Sequence, residues 1–285
     1  MRHLVVGVDG SVDSLAALDW AADAVGPAGR LTAVHASPLA TPAEGEAAGE
    51  ARRRLAAWTA RARTRCEEVE CDVVDADVAE ALSAAAVRRG SAAIVVGPHG
   101  LSVGHLKVLG SVTAKLLHSA HHPVVVARHG STHPLRSGGT IVVGVGHDSA
   151  TRAALRWAAS LARDRSMALS LVHAVGTRPV FRADGLLELL AYYIDPAKLG
   201  EWAEDDLADL AAELRASGEQ ELPISWAAPS GAAGPRLVKA ASDAALLVVG
   251  GHRDGAVTGK HFTVPSIHHV VTHAPCPVAV VPSDA

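Results

Sequence analysis

The residues best suited to chemistry in this sequence are glycines, and what they offer is bare main chain. Gly97, Gly100, Gly104 and Gly110 punctuate one stretch, with two residues between the first pair, nine between Gly100 and Gly110, and Ser111 directly after. Glycine lets a backbone turn with positive φ and lets a ligand approach where a Cβ would block it. The apolar run Ala92-Ala93-Ile94-Val95-Val96 leads into the stretch, and a helical pattern of Val112, Thr113, Leu116, Leu117 and Ala120 leads out. The first N–H groups of a helix have no partner within it, so strand, glycine loop and helix together form an anion site made of main chain. The chemistry on offer is phosphate binding. Lys107, the only lysine inside the loop, could screen a polyphosphate, or be a solvated surface charge. Ser111 could cap the helix and touch phosphate or a bound Mg2+, or simply cap. His99 and His105 share the loop, where a solvated histidine is the commoner case. Asp9 ends the first apolar run and could accept a hydrogen bond from a ribose hydroxyl or a purine amino group. Asp9-Gly10 is equally a common turn.

The elements that must position these residues are written twice. Leu4-Val5-Val6-Gly7-Val8-Asp9 returns as Ile141-Val142-Val143-Gly144-Val145-Gly146, Trp20 as Trp157, and Val34-His35-Ala36 as Val172-His173-Ala174. Ala93-Ile94-Val95-Val96-Gly97 returns as Leu246-Leu247-Val248-Val249-Gly250, and Pro123-Val124-Val125-Val126 as Pro277-Val278-Ala279-Val280. This is an internal duplication. The expected domains are 1–130 and 140–285, joined by a polar linker over 131–139. In the first half, strands are expected near 3–9, 30–36, 69–74, 92–97 and 123–127, and helices near 12–25, 45–66, 77–89 and 111–120. Alternation of this kind predicts an α/β fold with parallel strands and right-handed crossovers. Ligands of such sheets bind beyond the strand C-termini where strand order reverses. The second half is longer by about 17 residues near 176–200, as a decorated crossover or contact surface would be.

The chain resembles a universal stress protein in its tandem, two-domain form. The most specific likeness is Gly97-x2-Gly100-x9-Gly110-Ser111, which is similar to that family's ATP-binding signature. The opening strand running into Asp9-Gly10-Ser11 and the closing His118–Val126 segment are similar too. The resemblance implies two Rossmann-like (adenine nucleotide alpha hydrolase-like) domains, each a five-stranded parallel sheet of order 3-2-1-4-5 with helices on both faces. It implies ATP, with or without Mg2+, as ligand, and a role in stress response rather than rapid turnover. Asp9, Gly10, Ser11 and the main chain near Ala36 would face the adenosine. Gly97, His99, Gly100, Lys107, Gly110, Ser111 and Val112 would hold ribose and phosphates. It also implies pairing through the last strand, here an internal pseudo-dimer of the two domains, with a homodimer of chains as a further expectation.

The second copy keeps Gly250 but little else of the cradle. Gly100 falls on Arg253 or Asp254, Gly110-Ser111 on Val264-Pro265, Asp9 on Gly146 and Ser11 on Asp148. Pro265 is suited to the first helical position but has no N–H, and it pushes Val264 toward extended geometry. Nucleotide is therefore expected in the first domain alone, although His252, Arg253 and Lys260 leave another anion open.

Other function classes fit less well. A net charge of -4 provides no general attraction to nucleic acid or anionic membrane. No apolar run approaches the roughly 18 residues of a membrane helix, and the first one reaches Asp9 too soon for a signal-peptide core. Cys66, Cys71 and Cys276 are expected as reduced thiols of a cytoplasmic protein. There is no Gly-x4-Gly-Lys-Ser/Thr sequence. Asp9–Ser14 shares only Gly10, Asp13 and Ser14 with the pyrophosphate loop of ATP pyrophosphatases. His121-His122 and His268-His269 are adjacent pairs, poorly placed to share a metal. A ligand-free dimerising scaffold and a slow ATP hydrolase remain as alternative functions.

Overall fold

A computed structural model of the chain describes residues 1–36, 46–101, 109–130, 135–146, 149–176, 196–219, 221–251 and 264–283. The first half contains β1 (His3–Gly7), α1 (Val12–Val25), β2 (Arg30–Ala36), α2 (Glu46–Thr59), β3 (Glu68–Val74), α3 (Val78–Arg89), β4 (Ile94–Val96), α4 (Ser111–Ser119) and β5 (Val124–Val126). The second contains β6 (Thr140–Gly144), α5 (Ser149–Arg165), β7 (Ala168–Val172), α6 (Pro196–Ala216), β8 (Ile224–Ala227), α7 (Ala233–Ala240), β9 (Leu246–Gly251), α8 (Val264–His273) and β10 (Val278–Pro282).

Apolar residues on alternate faces of each strand make the two layers. Leu4 and Val6 of β1 share one core cluster with Leu18 and Ala21 of α1, Leu55 of α2, Leu155 and Leu161 of α5 and Leu207 of α6. Val5, on the opposite face, belongs to the other cluster with Leu82 of α3, Leu116 of α4, Leu237 of α7 and Val270 of α8. Strands covered on both sides need apolar residues throughout, as β4 and β5 have. The expected first-half helix over 45–66 stops at Thr59 instead, and a short 3-10 turn follows at Ala62–Thr64. Thr59 folds its hydroxyl back to donate to the carbonyls of Leu55 and Ala56. Arg61 and Arg65 beyond the break both reach Asp19 of α1. In the second half, α8 opens at Val264 with Pro265 as its second residue, one position earlier than proline's preference for the first suggests.

Strand order is β3-β2-β1-β4-β5-β10-β9-β6-β7-β8. Each half thus runs 3-2-1-4-5 and pairs in parallel, as expected. The halves form one sheet of ten strands, joined where β5 and β10 pair antiparallel through Val124↔Val280, Ala279↔Val125 and Val278↔Val126. Last strands left open would present unpaired N–H and C=O groups, and each covers the other. Among the described residues no helix is long and apolar enough to cross a membrane.

Candidate functional site

Strand order reverses between β1 and β4 in the first half, and the crevice beyond their C-termini is built from the turn into α1 and the loop into α4. Ser11 caps α1, its Oγ accepting from the Ser14 amide at 3.2 Å. Ser14 returns its own hydroxyl to the Ser11 carbonyl at 3.0 Å and accepts from the Asp9 amide at 3.3 Å. Asp9 serves both sides of the crevice. One carboxylate oxygen accepts from the Ser11 amide at 2.9 Å, and the other accepts from the Leu101 amide across the gap at 3.1 Å. Burial pushes the Asp9 carboxyl up, but bonds from Ser11, Ser14 and Leu101 outweigh it and hold the group below its ordinary value.

The glycines do different work. A Cβ on Gly100 would sit 2.7 Å from the second Asp9 oxygen, so a side chain here would meet the carboxylate. Gly97 is buried, and a Cβ there would fall 2.8 Å from the Asp13 Cβ and 3.1 Å from the Ser14 amide nitrogen. Its bareness lets α1 pack against the strand exit. Gly250 plays the same part, where a Cβ would lie 2.6 Å from the Ala150 carbonyl carbon. Gly10 holds φ +85°, a conformation that favours glycine. Gly110 donates its amide to the Pro98 carbonyl at 2.8 Å, closing the loop at its base.

α4 starts directly after Gly110, an N-cap with no side chain to give, whereas Ser11 caps α1 and Asp77 caps α3. Ser111 is exposed and Val112 half-buried at its first turn, where the first amides of a helix have no partner within it. Lys107, with Gly104 and His105, lies outside the described residues, as do His252, Arg253, Asp254 and Lys260. Ala36 ends β2, half-buried. His99 is half-buried with Nδ1 3.5 Å from Asp13 Oδ2, while Asp13 Oδ1 accepts from the His129 amide at 2.9 Å.

Four residues here were not singled out by the glycine pattern. Asp13 ties α1 to the segments leaving β4 and β5. Thr113 donates its hydroxyl to the Gly97 carbonyl at 2.7 Å, pinning α4 to the strand exit. His35 places Nδ1 2.8 Å from the Val8 carbonyl, and Trp58 of α2 meets the His35 ring edge-on with centroids 5.6 Å apart. The repeat brings His35 forward but no local motif brings Trp58. The second half keeps the scaffold without the carboxylate: the Gly146 amide donates to Thr151 Oγ1 at 2.9 Å and His173 Nδ1 lies 2.9 Å from the Val145 carbonyl.

Among the described residues no cluster of three or more His, Cys, Asp or Glu could hold a metal. His269 stacks on His273 instead. All three cysteines are free thiols, and burial pushes Cys276 up to about 12, which makes it a poor nucleophile.

Fold and crevice together define a tandem, doubly wound α/β protein with its candidate ligand site at a strand-order reversal. The model of the universal stress protein family matches residues 1–128 and again 139–282, so the chain belongs to that family, with its unit present in tandem. A universal stress protein from Archaeoglobus fulgidus DSM 4304 is similar in fold, with a TM-score of 0.68 at 16% identity, over 99% of this chain and 98% of that one. A putative universal stress protein from Pseudomonas aeruginosa UCBPP-PA14 follows, with a TM-score of 0.59 at 18% identity, over 100% of this chain and 94% of that one. No curated protein matches the chain.

Proposed function

We propose that the first domain, residues 1–130, binds ATP or a related adenine nucleotide, and that the chain acts as a stress-response regulator or sensor. The observation that carries this reading is the meeting of Asp9 with Gly100 beside the start of α4, whose N-cap is the glycine Gly110. Asp9 accepts hydrogen bonds from ribose or base, bare amides around Gly100, Gly110, Ser111 and Val112 take phosphate, and Lys107 adds a positive charge. Mg2+, where it accompanies ATP, would be carried on the phosphates, with the Ser111 hydroxyl oxygen as a candidate ligand. The second domain, residues 140–285, lacks the carboxylate, since Gly146 stands where Asp9 does. Its part in this reading is that of structural partner.

A ligand-free scaffold is the second reading, and one observation favours it: the Leu101 amide already closes on Asp9. A thermal-shift titration with ATP–Mg2+ on the full chain separates the two. A ligand present at a hundred times its Kd stabilises the folded state by about 2.7 kcal/mol. Gly100→Val places a branched side chain against Asp9 and is expected to abolish the response. A wild-type chain with no response supports the scaffold, and a response that survives Gly100→Val moves the ligand elsewhere.

A further inference from the structure

We infer that the indole of Trp58 is the wall that reads the base in this crevice, which directs the site to purine nucleotides. This rests on the nucleotide reading above and adds to it a residue outside the glycine loop. Trp58 comes from α2, yet its ring lies on the turn between β1 and α1. A Cβ on Gly10 would fall 2.4 Å from its Cζ2, 2.7 Å from its Cε2 and 3.0 Å from its Cη2. Gly10 therefore does two things at once: it takes the left-handed turn and it leaves room for an aromatic plane. His35 holds the same ring from the end of β2, edge to face at 67°. A carbonyl only accepts, so His35 Nδ1 must donate to Val8, and the bond fixes the imidazole's orientation. Trp58 is thus held by the neighbours of Asp9 and of Ala36, the two stretches that frame an adenosine in the proposed site.

The indole packs against the core and is still half-buried rather than closed off. A rigid aromatic surface beside a carboxylate acceptor suits a base that has both a broad π-face and an amino group. Base–aromatic stacking is open to every base, and stacking strength sets the preference among them, to which the larger face of a purine contributes more than that of a pyrimidine. The phosphate cradle has no part in that preference, because triphosphate is common to all nucleotides.

Isothermal titration of the full chain with ATP, CTP and inorganic tripolyphosphate, each with Mg2+, tests the assignment. The wild-type chain is expected to prefer ATP. Trp58→Ala is expected to weaken ATP about tenfold, to erase its advantage over CTP, and to leave tripolyphosphate unchanged. Trp58→Phe should keep part of the preference while losing the ATP-induced quenching of indole fluorescence. Trp58→Ala that stays folded and still prefers ATP as the wild type does overturns the inference and spares the nucleotide reading. A wild-type chain that binds none of the three overturns both. Should Trp58→Ala not fold, the phenylalanine variant decides: unchanged ATP quenching in it overturns the inference.

Discussion

Gly97 and Gly250 stand at matching places in the two halves, and in both the missing Cβ makes room for the first turn of a helix. That explains why the second half retains this glycine after losing the rest of the cradle. Gly97→Ala and Gly250→Ala are each expected to lower stability by about 1–3 kcal/mol through overpacking, read as a lower urea midpoint. Equal losses at the two positions mark a packing role, and an unchanged midpoint at Gly97 would return that residue to the ligand. Spacing alone could not separate these roles. Gly-x2-Gly-x9-Gly-Ser has the same letters whether each glycine meets a phosphate, a carboxylate or a helix. The place of Asp9 beside the reversal was legible because it closes the first apolar run, two residues past β1. Trp58 was not, because its contact with Gly10 joins α2 to a turn far away in sequence.

At the scale of elements, α1 and α4 bound the crevice from opposite strands and begin differently. Ser11 closes the first turn of α1, whereas α4 opens without such a bond. Ser11→Ala is expected to cost about 1 kcal/mol as a lost cap. Ser111→Ala, at an exposed position, should change stability by less than about 0.5 kcal/mol. Denaturant unfolding of the two variants checks the contrast. Any fall in ATP response at Ser111 without a fall in stability then belongs to ligand contact. Strands and helices of the first half were largely legible from periodicity, since runs such as Ile94-Val95-Val96 admit little else in a sheet covered on both sides. The end of α2 was not legible. Apolar spacing continues past Thr59, but its hydroxyl competes for helix carbonyls and Asp19 draws Arg61 and Arg65 into ion pairs, interactions that depend on α1 lying alongside.

Across the whole molecule, the two halves exchange helix caps as well as a strand pair. Arg128, just after β5, donates to the carbonyls of Thr272 at 2.8 Å and of Val271 at the end of α8. Arg165 of α5 donates to the Ala24 carbonyl at the end of α1. The terminal amino group of Met1 reaches Asp164 at 2.8 Å. Each arginine satisfies carbonyls that a helix end leaves without partners. Arg128→Ala is expected to lower stability by about 1–3 kcal/mol and Arg165→Ala by a similar amount. In a urea titration followed by circular dichroism, the double variant should broaden the transition as the halves uncouple. A transition as sharp as that of the wild type would leave the β5–β10 pairing sufficient to hold them.

That central pairing also limits how the chain can grow into a larger assembly. With β5 and β10 saturating one another, the outermost ladders are β3 and β8, and they differ in character. β3 carries Glu68, Glu70 and Asp72, held in ion pairs with Arg30, Arg88 and Arg89, while Ile224-Ser225-Trp226-Ala227 of β8 carries no charge. An edge that could have joined two copies of the chain is spent inside one polypeptide, so a multimer built by strand pairing is left to β3 or β8.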